Sequence, residues 1–220
     1  MKQFLTYNNI RTTHPLGSLA LMLACSLTLL LTSCSEHEAA GEYDNWQERN
    51  QHYIDSIYHA ATANADGTWL CLKAYNIGED ESLYLDQPNQ FVYAKKLQTG
   101  TGTVSPLYND SVRVHYSGRL IPTNMYPDGY NFGKSYSTSI LNPDTDVPTL
   151  LAVKDNVVGF ITALLNMHEG DRWMVYIPHD LGYGKSEYTS ATIPAYSTLI
   201  FDIQLARVYR FKVDTDTSWH

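Results

Sequence analysis

Basic residues are scarce in this sequence of 220 residues. The 15 lysines and arginines are outnumbered by 23 aspartates and glutamates, which gives a formal net charge of -8. A protein with this balance lacks the basic surface that holds the phosphates of a nucleic acid, so nucleic-acid binding is excluded. The length allows one well-buried domain with additional segments and leaves little room for two full domains.

Long apolar runs are also missing, apart from one near the N-terminus. Residues 16–31 are apolar but short for a membrane span of about 20 residues. They follow a start that contains Lys2 and Arg11 and no acidic residue. This arrangement predicts an export signal over residues 1–33, which is removed from the mature protein.

The end of this signal contains the sequence Leu-Thr-Ser-Cys, in which Cys34 is the last residue. It resembles the bacterial lipobox, in which small residues precede a cysteine that receives lipid and becomes the new first residue. The alternative is an ordinary signal peptide with an incidental cysteine. We expect lipidated Cys34 to anchor the protein in the bacterial cell envelope, on the periplasmic face or the cell surface, without a transmembrane helix. Residues 34–44 are polar and acidic, and they predict a tether.

Cysteine is rare as well, with three residues in the chain. Cys25 leaves with the signal and Cys34 is acylated, so Cys71 has no partner for an intrachain disulfide. The apolar neighbours of Cys71 alternate, which predicts a small buried side chain rather than a reactive thiol.

Residues 45–90 predict an N-terminal helix followed by a strand. Asp44 and Gln47 have the spacing of a capping box, and the apolar residues that follow recur at helical spacing up to about residue 63. We expect this apolar stripe to pack on the main domain, with a homodimer arm as the alternative. His52 and His59 share a helix face but lack a carboxylate or thiolate partner. No metal or cofactor site is therefore predicted.

Apolar and polar residues alternate in several short segments, which predicts β-strands. These segments are residues 69–74, 91–97, 112–120, 172–177 and 198–208. Residues 156–170 have helical spacing instead and predict an amphipathic helix. The order predicts an α+β fold, in which an antiparallel sheet packs one helix against its apolar face.

Two details of this pattern bear on a binding site. His115 alternates with the apolar residues of the third strand, so we expect it to face solvent. Residues 121–147 contain several prolines and glycines and predict a long loop. Tyr130 and Phe132 have no periodic role in that loop, which indicates a pocket.

Four segments resemble the FKBP-type peptidyl-prolyl cis-trans isomerases, in the same order and at similar spacings. They are VRVHYSGRL from residue 112, VVGF from residue 157 with ITALLNMHEGDRW after it, IPHDLGYG from residue 177, and IPAYSTLIFDIQL from residue 193. The resemblance implies a curved antiparallel sheet wrapped around one short helix, as a domain over residues 91–210. Residues 211–220 are then a polar tail.

The resemblance also implies the residues of a site. Those with catalytic roles would be Tyr183, Ile193, Phe201 and Tyr116, and those that bind substrate would be Phe132, Leu151, Val157 and Phe160. The X-Pro amide crosses a barrier of roughly 18–20 kcal/mol when it twists. Lowering that barrier requires an apolar cleft that favours the twisted amide, and it requires no nucleophile, metal or cofactor.

The sequence departs from the family pattern at two of these positions and at the residue after Phe132. Gly133 stands where the family commonly has an acidic residue, Leu151 where phenylalanine is usual, and Phe160 where tryptophan is usual. We expect an isomerase with reduced activity that assists the folding of exported, proline-containing polypeptides. A catalytically weak FKBP-like peptide-binding or chaperone module is the alternative. A carbohydrate-binding surface lipoprotein, suggested by the 17 tyrosines alone, is the third.

Overall fold

Two α-helices and seven β-strands make up the regular structure of the described residues. The structure, a computed structural model, describes residues 41–78, 87–143 and 145–211. The predicted export signal, Cys34, most of the tether and most of the polar tail lie outside the described residues. The elements are α1 Trp46–Ala63, β1 Trp69–Lys73, β2 Phe91–Gln98, β3 Ser111–Arg119, β4 Asn131–Lys134, β5 Thr149–Ala152, α2 Val158–Asn166, β6 Arg172–Ile177 and β7 Leu199–Tyr209.

All seven described strands belong to one antiparallel sheet in the order β1-β2-β6-β7-β3-β4. Strand β5 pairs with the first half of β3 and β4 with its second half, so two short strands share one edge of β3. The predicted α+β fold with an antiparallel sheet is therefore confirmed. Strands β4 and β5 were not predicted, because four residues among prolines and glycines are too few to show alternation.

Helix α2 packs on one face of the sheet and forms the main core. Its buried residues contact inward-facing residues of β2, β3, β6 and β7, which alternate with outward-facing ones. Gly159 allows the close approach, because a Cβ there would lie 2.3 Å from Ile177. The helix is shorter than predicted. It ends at Asn166, and Met167 is already extended with ψ 154° and is completely buried.

Helix α1 packs on the opposite face of the same sheet. Ile54 and Ala61 are buried with Tyr93, whose neighbours Val92 and Ala94 point into the main core. The expected packing of the apolar stripe on the main domain is confirmed. A homodimer through this helix stays a prediction. Of the described helices, neither is both long and apolar enough to cross a membrane.

The predicted capping box of α1 is wrong. The residue before the helix is Asn45, which has left-handed geometry with φ 52° and makes no side-chain cap bond. The carboxylate of Asp44 instead accepts a hydrogen bond from the backbone N–H of Gly41 at 2.7 Å. The turn before the helix therefore uses the group that was expected to cap it.

The predicted environments of two side chains are also wrong. Cys71 is exposed because β1 is an edge strand that, within the described sheet, pairs only with β2. His115 is buried, with 3% of its surface exposed. Burial lowers the pKa of His115, while Asp146 acts in the opposite direction. Arg113, two residues before His115 on the same face of β3, donates to the carbonyl of Pro148 at 2.9 Å. The end of the loop between β4 and β5 therefore lies against the face of β3 that alternation alone predicts to be open.

Candidate functional site

A cavity of about 460 Å³ opens between the sheet and the start of α2. Strands β3, β4, β5 and β7 each contribute to its wall, together with the loop that follows β6. Its lining residues are Tyr116, Phe132, Gly133, Leu151, Asp155, Asn156, Val157, Phe160, Tyr183, Tyr188, Ala191 and Phe201. The lining is mainly aromatic and aliphatic, as expected for a site that binds an apolar group.

Phe201 is at the centre of the aromatic lining. Its ring centroid lies 5.1 Å from that of Phe160 and 5.4 Å from that of Phe132, with interplanar angles of 78° and 84°. These edge-to-face contacts are the favourable geometry for aromatic pairs. Phe160 and Phe201 are 3% and 7% exposed, so they form the floor of the cavity. Tyr116 lies beside them, with its centroid 6.4 Å from each of the two rings.

Tyr183 and Tyr188 form the wall on the side of the loop after β6. Their rings are stacked, with centroids 4.3 Å apart and an interplanar angle of 10°. Burial raises the pKa of Tyr183, and the neighbouring Tyr188 and Tyr116 raise it further. The Tyr183 phenol therefore stays protonated at neutral pH and can donate a hydrogen bond.

Ile193 is placed differently from the other predicted residues. It is completely buried and does not line the cavity. Its backbone N–H donates to the carbonyl of Tyr188 at 3.2 Å, and its carbonyl accepts from the Tyr188 N–H at 2.9 Å. This two-way bridge closes the loop, so Ile193 lies behind the wall and supports Tyr188.

The structure brings the other seven predicted residues together around one cavity. Four lining residues were missed by sequence reasoning, namely Asp155, Asn156, Tyr188 and Ala191. Asp155 and Asn156 lie in the turn that directly precedes Val157, and their nearness to a predicted residue was the available signal. Tyr188 and Ala191 lie in a loop without periodicity, where the sequence offers no comparable signal.

The polar groups at the cavity are few. At Gly133 an added Cβ would find Tyr116 as its nearest neighbour at 3.9 Å, so the position where an acidic residue was expected is open space. Asp155 lines the cavity but is itself exposed. Within the described ranges, no three His, Cys, Asp or Glu side chains are close enough to hold a metal ion. The residues present are suited to binding an apolar ring next to a hydrogen-bond acceptor.

One open antiparallel sheet, one short helix and an aromatic cavity between them define the class of FKBP-like domains. Residues 102–206 match the model of the FKBP-type peptidyl-prolyl cis-trans isomerase family. Over these residues the chain belongs to that family, as its motifs predicted. The match includes β3 to β7 for most of their length and excludes α1, β1 and β2.

Individual relatives agree with this assignment. The macrophage infectivity potentiator of Trypanosoma cruzi is 32% identical over 121 residues, which are 55% of this chain and 54% of that protein. The FKBP-type 22 kDa peptidyl-prolyl cis-trans isomerase of Escherichia coli (strain K12) is 34% identical over 112 residues, which are 51% of this chain and 47% of that protein. The chain thus spans about half the length of these curated relatives.

A solved structure supports the fold. The crystal structure of a peptidyl-prolyl cis-trans isomerase from Pseudomonas syringae pv. tomato str. DC3000 matches with a TM-score of 0.51 at 24% identity. The match covers 74% of this chain and 96% of that chain. At this identity the likeness applies to the fold.

Proposed function

We propose that this protein catalyses the cis-trans isomerisation of X-Pro bonds in polypeptides. The observation that supports this activity best is the aromatic cavity, whose floor is formed by the buried rings of Phe160 and Phe201. Its volume of about 460 Å³ is within the range of small-ligand pockets and is ample for a proline ring. Membership of residues 102–206 in the FKBP-type family supports the same activity.

The chemistry requires that the cavity bind the twisted amide better than the planar one. The barrier of roughly 18–20 kcal/mol reflects the amide resonance that is lost on twisting. A planar amide is more dipolar than a twisted one, so transfer into an apolar cavity favours the twisted state. The proline ring is held by Phe132, Phe160 and Phe201, while the protonated Tyr183 hydroxyl donates to a substrate carbonyl.

A protease-coupled assay with an X-Pro peptide tests the activity. Wild type is compared with Phe201→Ala, which removes the central ring, and with Tyr183→Phe, which removes one hydroxyl and keeps the stacked ring. We expect kcat/KM to fall by about 100-fold for Phe201→Ala and by about tenfold for Tyr183→Phe. A wild-type protein that does not exceed the uncatalysed rate would disprove the proposal.

We further propose that the enzyme is a lipoprotein of the bacterial cell envelope that assists the folding of exported, proline-containing polypeptides. The support is in the sequence, where an apolar run, small residues and Cys34 occur in the order that lipidation requires. The Cys34→Ala variant is expected to leave the membrane fraction. If it remains there as firmly as the wild type, the anchoring proposal is wrong.

A catalytically weak peptide-binding or chaperone module is the second candidate, and the open space at Gly133 favours it. Leu151 also favours it, because this aliphatic side chain lines the cavity where the family usually has phenylalanine and so holds the proline ring less firmly. This candidate predicts that a proline peptide binds, with a change in tyrosine fluorescence, while the isomerisation rate stays at the uncatalysed value. Binding accompanied by turnover would exclude it.

A further inference from the structure

Helix α1 lies outside the matched residues 102–206, yet it is hydrogen-bonded to the loop that forms one wall of the cavity. We infer that Trp46 and Asn50 are positioning residues, which hold the loop of residues 182–198 in the shape that the proposed isomerase needs. This inference rests on the proposed function for its activity readout.

The first connection starts at the indole of Trp46. Its Nε1–H donates to the hydroxyl of Ser197 at 2.9 Å, and that hydroxyl donates to the carbonyl of Pro194 at 2.6 Å. Trp46 and Ser197 are 6% and 3% exposed, so water does not compete for these bonds. The relay fixes the segment that directly follows Ile193.

The second connection uses both ends of the Asn50 amide. Its Oδ1 accepts from the backbone N–H of Thr198 at 2.7 Å, and its Nδ2 donates to the carbonyl of Trp46 at 2.7 Å. Asn50 and Thr198 are each 1% exposed. Asparagine is a weak helix former, and a buried amide is tolerated when its groups are bonded. Its placement on the buried face of α1 is explained by the bond to Thr198.

The loop needs such restraint because of its backbone. Thr192 and Tyr196 have φ values of 54° and 62°, in the left-handed region that residues with a side chain avoid. Conformations of this kind persist only when their surroundings hold them. Pro194 and Ser197, which form the relay to Trp46, lie between and beside these two strained residues.

The restraint extends to the cavity through the backbone of the loop. The N–H of Tyr196 donates to the carbonyl of Gly184 at 2.9 Å, next to Tyr183. The bridge between Ile193 and Tyr188 holds the second tyrosine of the wall. The bonds from α1 therefore fix the end of the loop to which both stacked tyrosines are connected.

The same helix offers a matched control. Ile54 is 2% exposed and packs against Tyr93 on the far face of the sheet, where it stabilises α1 without touching the loop. Trp46→Phe removes the N–H donor and keeps an aromatic ring. Asn50→Leu removes both bonds of the amide at similar volume. Ile54→Ala weakens the docking of the helix and leaves both polar connections intact.

The experiment measures kcat/KM on an X-Pro peptide well below the melting temperature, together with hydrogen exchange of the Thr198 amide. We expect Trp46→Phe and Asn50→Leu to lower kcat/KM about tenfold, because small displacements of a site are costly. Asn50→Leu should also accelerate exchange at Thr198. Ile54→Ala should lower the melting temperature while kcat/KM stays within about twofold of wild type.

Two results would overturn the inference. One is unchanged kcat/KM in both polar variants, which would make the bonds merely structural. The other is an equal loss of kcat/KM in Ile54→Ala, which would make the effect one of general stability. If Asn50→Leu fails to fold, Ser197→Ala replaces it. This variant removes the bond from Trp46 as well as the bond to Pro194, so adding Trp46→Phe to Ser197→Ala should cause no further loss of kcat/KM.

A failure of the proposed isomerase activity can be distinguished from a failure of the positioning inference. A wild-type protein without turnover disproves the isomerase, and peptide affinity then replaces kcat/KM in the same variants. Weaker peptide binding by Trp46→Phe and Asn50→Leu, but not by Ile54→Ala, supports positioning of the wall. Equal binding by all of them overturns it.

Discussion

Replacing Gly118 by alanine should close the cavity from its floor. Gly118 is in β3, and a Cβ added there would lie 2.4 and 2.6 Å from two carbons of the Phe132 ring and 2.6 Å from the Phe201 ring. These distances are far below ordinary van der Waals contact, so at least one ring has to move. Because the rings meet edge to face at 5.4 Å, either one can move only by breaking that contact or entering the cavity.

The expected magnitude follows from this overlap. Overpacking of a well-packed core costs about 1–3 kcal/mol, and loss of one aromatic pair adds about 0.5–1.5 kcal/mol. We therefore expect Gly118→Ala to lower the free energy of unfolding by about 2–4 kcal/mol. The fall in kcat/KM should be at least about tenfold, since the displaced rings are those that hold the proline.

Gly133 provides the control, because it is paired directly with Gly118 across β3 and β4. The nearest atom to a Cβ at Gly133 is 3.9 Å away, which is an ordinary contact. Gly133→Ala should therefore change the free energy of unfolding, measured by urea denaturation, by less than about 0.5 kcal/mol. If both variants lose stability and kcat/KM equally, the ring positions described here are wrong.

Three further predictions concern the cavity and its surroundings. Gly133→Asp should raise kcat/KM severalfold over Gly133→Ala, because it places a carboxylate in open space at the cavity; no gain in the protease-coupled assay would refute this. Tyr188→Ala should lower kcat/KM about fivefold by releasing the stacked Tyr183, whereas Tyr188→Phe keeps the ring and the activity; equal losses would contradict a stacking role. Burial lowers the pKa of His115, so its contribution to stability is complete above the unfolded pKa of about 6.5 and is lost as the pH falls from there through the lower folded pKa. Between about pH 8 and pH 5, wild type should therefore lose more unfolding free energy than His115→Gln, and parallel curves would disprove this.

The sequence predicts the long strands and the helices well. It predicts poorly which faces of the strands are covered by other parts of the chain. Long strands such as β3 and β7 alternate because one face meets the core, and this is visible residue by residue. His115 breaks the rule because a distant loop covers the other face, and Cys71 breaks it because β1 lies at an edge. Both depend on neighbours that are remote in sequence, and periodicity contains no information about them.

The site residues likewise fall into those that the sequence predicts and those that only the structure places correctly. Motif resemblance identifies the residues on strands and at the start of α2, such as Tyr116 and Phe160, since their spacing is fixed by regular structure. It gives Ile193 a catalytic role at the cavity, while the structure places this residue behind Tyr188. The bond between Trp46 and Ser197 joins residues 151 positions apart. The positioning role inferred for α1 therefore rests on a contact that the sequence alone does not reveal.

The position of β7 has a consequence for the order in which the protein can assemble during its synthesis. This strand is the last of the described chain, yet it lies between β6 and β3 near the middle of the sheet. Until it has left the ribosome, β3 with β4 and β5 has, within the described sheet, no strand pairing to β1, β2 and β6. Until then, β6 and β3 each expose a strand edge with unpaired backbone N–H and C=O groups. Such edges promote aggregation. Completion of the sheet is thereby coupled to the synthesis of β7, Leu199–Tyr209.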